Sequence, residues 1–359
     1  MKKAIIVIVL SVCAMLALAP SALADGVADE YIADFEKLLP SDMSDIVTDT
    51  EALTRSVSIE ALISEITALI SGEGSRIVTF LLALISMGII GSLAAALGLK
   101  LSSATERAVG VIASLLVFSY VGGLFRSMAD TMSDICAFFS GAIPIYTAIS
   151  VSSGAVSTAG AQALGMNFTA SLLGGVGISV MTAVVGTGLA MALVSFFGDE
   201  RTDALSRSVQ SFFKWLCGIA TALIMATLSL QTVVCSASDS AVLRAARYAA
   251  SGMIPIVGGA VSGALSTLAA GLAYAKGIVG VGSVAVIVTL ALAPLVLLLL
   301  YRLALSLAIS FVGFVGSPCI RRIYAAYKTA LDSLCAVYAL CACLCIFEII
   351  LFMKSGVVS

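Results

Sequence analysis

Long apolar blocks alternate with short charged breaks along this sequence. Blocks at about 77–99, 108–125, 168–197, 212–235, 277–301 and 331–353 approach or exceed the roughly 20 residues that a helix needs to cross hydrocarbon. The 168–197 block carries Gly174, Gly175, Gly177, Gly186 and Gly188, so it reads as one tilted span or as a broken helix. Amphipathic stripes lie between and before the blocks. Tyr31, Phe35, Leu38 and Leu39 share one helical face, stopped by Pro40. Ile59, Leu62, Ile63, Ile66, Leu69 and Ile70 share another, as apolar residues at helical spacing do. A segment of this size is small for a core of its own, so both stripes predict helices on the membrane surface or against partners. A third stripe sets Met128, Met132, Ile135 and Phe139 opposite Arg126, Asp130 and Asp134. A fourth sets Val242, Ala246, Ala249 and Met253 against Asp239, Arg244 and Arg247.

Behind the last two stripes the chain repeats itself. Ser140-Gly141-Ala142-Ile143-Pro144-Ile145 is followed by Gly154-Ala155-Val156-Ser157, and Ser251-Gly252-Met253-Ile254-Pro255-Ile256 by Gly259-Ala260-Val261-Ser262. Proline removes a backbone donor and ends or kinks a helix, and glycine permits turns and close helix contact. Irregular backbone at membrane depth is tolerated where it is buried in protein or lines a wet cavity. Gly141, Pro144, Gly252, Pro255, Gly258 and Gly259 are therefore candidate pore, gate or helix-break positions. The plainer alternative is a pair of kinked helices packed through small residues. Arg244 and Arg247 are candidates for partner docking.

Composition narrows the class. Of 359 residues, 60% are hydrophobic and 11% charged, against about 25% charged in a soluble domain. The expected fold is all-α, a polytopic helical membrane protein with two parallel repeats, each with a Pro/Gly-broken element. Residues 1–24 read as a signal peptide: Lys2 and Lys3, an apolar run, then Ala22-Leu23-Ala24 as the small-residue cleavage site. An uncleaved first span is the alternative. Residues 25–76 hold 12 acids and 3 bases, whereas 77–359 hold 9 acids and 14 bases. Basic residues are retained in cytoplasmic loops. That rule places 25–76 outside, and Lys100, Arg107, Arg201, Arg207, Lys214, Arg321, Arg322 and Lys328 inside, provided 140–167 and 251–273 each enter and leave on the outer face. A re-entrant reading of both elements is preferred to a fully spanning one. The organisation expected is 1–24 signal, 25–76 acidic ectodomain, 77–107 first span and loop, 108–211 first repeat, 212–302 second repeat, and 303–359 C-terminal membrane segment.

Chemistry adds little. There is no histidine, which removes histidine triads and histidine metal sites. The cysteines of the apolar runs, among them Cys335, Cys341, Cys343 and Cys345, read as small hydrophobes. No phosphate loop, GxSxG motif or basic–aromatic interleaving is present, so no catalytic, cofactor, metal or nucleic-acid site is expected. Glu348 lies within Ile346-Phe347-Glu348-Ile349-Ile350. An intramembrane charge of this kind is a functional-site candidate by default. Lys276 and Arg302 flank blocks and are expected to snorkel or to set topology.

At 244–300 the sequence resembles the stage III sporulation protein AE family of endospore-forming bacteria. Arg244 and Arg247 precede Tyr248-Ala249, then Gly252, Ile254-Pro255-Ile256-Val257-Gly258-Gly259-Ala260-Val261-Ser262, Lys276, Gly280, Gly282 and a long span with Pro294. The order of signal, acidic ectodomain and multiple spans also fits. The resemblance implies a non-enzymatic, multi-pass subunit in the mother-cell membrane around the forespore. It implies membership of the channel or feeding-tube complex formed with the other stage III sporulation A proteins and the forespore Q protein, with membrane lipid as the remaining contact and a homo-oligomer left open. It brings no catalytic residue. A self-sufficient secondary transporter with a site between the repeats and a purely structural scaffold are the alternatives.

Overall fold

The computed structural model describes residues 27–39, 59–96, 102–153, 155–194, 258–316 and 318–354, with isolated positions between 208 and 222. All regular structure among them is helical: α1 Val27–Glu36, α2 Ile59–Ala96, α3 Ser102–Ser152, α4 Val156–Ser171, α5 Ile178–Val194, α6 Gly258–Val315 and α7 Pro318–Lys354. A π-helical turn, Leu172–Gly177, joins α4 to α5 without a break. The described part of the glycine-rich block, 168–194, therefore lies in one continuous helical run, its glycines Gly174, Gly175 and Gly177 absorbed in the π turn. Among the described residues five runs are long and apolar enough to cross a membrane: Ile66–Leu93, Ala108–Ser152, Val156–Gly188, Ala270–Val315 and Pro318–Lys354. The chain is an all-α polytopic membrane protein.

Side-chain contacts give the helix directions. Phe80 lies 5.1 Å from Tyr301 between ring centroids, and Gly88 abuts Val312, so α2 runs parallel to α6. Gly188 abuts Ala330, Gly177 faces Cys341, and Thr169 meets Glu348, so the α4–α5 run is antiparallel to α7. Ser114 meets Tyr327 and Tyr146 meets Phe352, so α3 and α7 are parallel. Gly174 faces Cys136, which folds α4 back along α3. One end of the bundle holds the α6–α7 turn, and the other holds the α3–α4 turn.

Each turn follows from its sequence. At the first, Gly316 adopts a φ of 86° and its N–H donates to the Val312 carbonyl at 3.1 Å. That is a left-handed C-terminal cap, which glycine takes without strain. Pro318 then opens α7, where its missing N–H costs nothing. At the second, the Ala155 N–H donates to the Ser150 carbonyl at 3.1 Å. Pro144 lies inside α3. The helix continues through it and the chain reverses at 153–155, so the segment expected to re-enter at 140–167 is a helical hairpin. A proline forfeits one hydrogen bond, and neighbouring helices can hold the rest of a membrane helix in place. The divisions expected at 107/108 and 302/303 likewise fall inside α3 and α6. A charged residue interrupts an apolar run without interrupting a helix.

Large exposed apolar side chains run along the bundle: Leu82, Ile89 and Leu93 on α2, Ile112 and Leu115 on α3, and Leu303, Leu307 and Phe314 on α6 toward the Gly316 end, with Val156, Leu164 and Phe168 on α4 toward the other. This surface suits hydrocarbon. Farther along α3 the exposed face turns polar, with Arg126, Asp130 and Asp134 outward and Met128, Met132, Ile135 and Phe139 buried, as the amphipathic stripe predicts. The Ala108–Ser152 run holds 45 residues, about 68 Å of helix at 1.5 Å per residue. That is about twice the ~30 Å hydrocarbon core, so a single straight crossing carries the Met128–Ser152 part of α3 beyond it.

The α1 stripe finds its partner within the chain. Phe35 is fully buried and packs edge-on to Phe138 at 6.1 Å. Tyr31 shares a 2.7 Å hydrogen bond with Ser152, and Leu38 lies against Gly141. The helix also packs on α6. Thus Gly141, a candidate gate position, is the place where the N-terminal segment docks. The counterpart of this arrangement in the second expected repeat falls largely on 212–257, outside the described residues.

A buried polar layer between the helices as candidate functional site

Two charged residues appear among the buried set: Lys276 on α6, 4% exposed, and Glu348 on α7, 2% exposed. They belong to one layer. The Lys276 ammonium stands 4.8 Å from the centroid of the Phe352 ring, and Phe352 is one helical turn beyond Glu348 on α7. Burial of a charge demands compensation, and the face of an aromatic ring attracts a cation. The Thr169 hydroxyl of α4 donates to Glu348 Oε1 at 2.8 Å. From α3, Tyr146 stacks on Phe352 with centroids 4.4 Å apart and donates its hydroxyl to Ser283 of α6. Ser283 in turn donates to the Val279 carbonyl at 2.6 Å. Lys276 and Ser283 are seven residues apart on α6, two turns along one face.

Local sequence explains why four helices converge there. Gly280 lies between Lys276 and Ser283, and its bare α-carbon is in contact with Met353, which lets α6 and α7 approach closely. Gly177 closes on Cys341 Sγ, 3.4 Å from where its Cβ would be. Cys341 lies seven residues before Glu348 on the same face of α7. The π turn starts three residues after Thr169. Such turns are frequent at functional sites, and here it sets the register in which Thr169 reaches Glu348.

A second charged contact lies nearer the Gly316 end. Arg302 of α6 pairs with Asp332 of α7, their side chains 27% and 31% exposed. Above it, Phe80, Tyr120 and Tyr301 form an aromatic cluster, the first two 4.8 Å apart. Farther toward that end the Tyr324 hydroxyl donates to the Leu84 carbonyl, and the Tyr327 hydroxyl to the Ser114 carbonyl, both at 3.0 Å.

The sequence-predicted positions fare unequally. Glu348 is buried within the layer. Lys276, expected to snorkel, is buried, and Arg302 is engaged in an ion pair, because α6 continues past both ends of the 277–301 block. On α3, Pro144 lies within one turn of Tyr146 and Gly141 between one and two turns before it. Gly258 and Gly259 open α6. Arg244, Arg247, Gly252 and Pro255 lie outside the described residues. Thr169, Tyr146 and Ser283 were not singled out from sequence. The available signal was a set of hydroxyls in otherwise apolar helices, which is common where helices bind each other. Among the described residues no group of histidine, cysteine or acidic side chains could hold a metal ion.

Fold and layer together define a polytopic helical membrane protein with a polar centre built between its helices. The sequence model of the stage III sporulation protein AE family matches residues 41–356, most of the chain, and the protein belongs to that family. It is thus a sporulation membrane protein. No curated protein and no solved structure matched the chain. The α1 helix precedes the matched region, whereas the α3 surface it occupies lies within it.

Proposed function

We propose that this protein is a non-enzymatic subunit of the mother-cell to forespore channel complex that serves the engulfed forespore. Its partners are the other stage III sporulation A proteins and the forespore Q protein. It sits in the mother-cell membrane around the forespore, with residues 25–76 and the α3–α4 hairpin on the extracytoplasmic side. The observation that carries this reading is the family match over 41–356. The architecture supports it: five apolar helical runs and a hairpin longer than the bilayer give a membrane anchor with an extended face for docking. Arg244 and Arg247, outside the described residues, are further candidates for docking a partner.

The test is made in the native host. Removal of the chain should arrest sporulation after engulfment and silence late forespore reporters, and affinity purification from sporulating cells should recover the other complex members. Wild-type spore yield without the chain, or purification free of those partners, would refute the proposal. Solute flux by the purified protein alone in liposomes would instead favour a self-sufficient transporter.

A further inference from the structure

The polar layer holds one carboxylate, and its enclosure calls for a neutralising group. Among the described residues, the one hydrogen bond to Glu348 comes from Thr169. Lys276, on α6, stands over the Phe352 ring. Tyr146, on α3, directs its hydroxyl to Ser283. The thiols of Cys341, Cys343 and Cys345 on α7 and of Cys136 on α3 are further titratable groups on this side of the bundle. An ionised carboxylate at 2% exposure needs more than one hydroxyl to replace its lost hydration.

The opposite helix offers the Thr169 hydroxyl at the entrance to the π turn. A buried carboxylate beside a hydroxyl presents oxygen atoms to a proton or a hard cation.

We propose that Glu348 and Thr169, at the entrance to the π turn, form a binding site for a monovalent cation, either a proton or Na⁺. Loading neutralises the carboxylate and tightens the contact of α4 and α5 with α7. The site stands apart from membership of the channel complex and does not depend on it.

The experiment uses the full-length protein in detergent, and follows thermal unfolding in two titrations: NaCl against choline chloride at fixed pH, and pH in choline alone. A bound ligand raises the melting temperature in proportion to its saturation. A Na⁺ site gives a saturable rise with NaCl that choline does not reproduce. A proton site gives a pH-dependent melting temperature and a carboxylic-acid carbonyl band in infrared difference spectra. In either case Glu348→Gln abolishes the response. Thr169→Val weakens Na⁺ binding about tenfold because an oxygen ligand is lost, whereas it strengthens proton binding, because the hydroxyl donates to the ionised carboxylate. Wild-type and Glu348→Gln curves that superimpose in both titrations overturn the proposal. If Glu348→Gln does not unfold cooperatively, an unchanged midpoint in Thr169→Val overturns it equally.

Discussion

Arg302 and Asp332 show how one contact can tie two long helices together. Each side chain is about a quarter to a third exposed, so the pair is neither a solvated surface bridge nor a sealed one. Removing one partner leaves the other charge in an apolar bundle. Asp332→Asn is expected to lower stability by about 1–3 kcal/mol, less than for a fully buried pair. The double variant Arg302→Met/Asp332→Leu should recover most of that loss. A double-mutant cycle of unfolding in detergent measures the coupling, and a neutral Asp332→Asn would show that the pair contributes nothing. The glycines divide in a similar way. A Cβ on Gly188 would strike that of Ala330, with the α7 backbone behind it at 3.8 Å. A Cβ on Gly280 would strike the side chain of Met353, and methionine repacks readily. Gly188→Ala should therefore destabilise by about 1–3 kcal/mol, and Gly280→Ala by clearly less in the same assay. Equal losses would mean that Met353 is held as rigidly as Ala330.

At the scale of elements, α1 is the least expected feature. Its stripe of Tyr31, Phe35 and Leu38 was legible, because periodicity reports which face of a helix is apolar. Periodicity does not report what covers that face, and the occupant turned out to be α3 and α6 of the same chain. The amphipathic stretch of α3 was legible for the same reason and packs as its pattern requires. Pro144 was read as a break because the sequence shows the missing donor but not the helices that hold α3 straight past it. Lys276 was read as an interfacial anchor because its position at the edge of an apolar block is visible, whereas its burial depends on helices far away in sequence. The short α1 helix also yields a prediction. An isolated helix of 10 residues is marginal in water, so its order depends on docking. Phe35→Ala should release α1 rather than unfold the bundle. Limited proteolysis should then cut within 27–39 first, while global unfolding shifts by less than the ~3–5 kcal/mol that truncating a core phenylalanine costs. A loss of that full size would show that α1 is integral to the core.

For the whole molecule, the decisive question is which surfaces lie on the same side of the membrane. The proposed topology puts the Gly316 end in the cytoplasm, where basic residues are retained, with Arg321, Arg322 and Lys328 just beyond it on α7. The helix directions then place the α3–α4 turn, α1 and the polar layer toward the opposite side. The re-entrant reading and the helical hairpin agree on one consequence, because both keep residues 140 and 160 on one face, and full crossing would separate them. Ser140 and Gly160 are exposed, as is Arg321 near the other turn. Single cysteines at these three positions, in a variant whose native cysteines are replaced and which still sporulates, allow a direct test with a membrane-impermeant maleimide. Ser140→Cys and Gly160→Cys should both label on intact protoplasts. Arg321→Cys should label only after permeabilisation. Labelling of 140 and 160 from opposite sides would mean that the hairpin spans the bilayer. Labelling of 321 on intact cells would invert the topology and move the docking surface into the mother-cell cytoplasm.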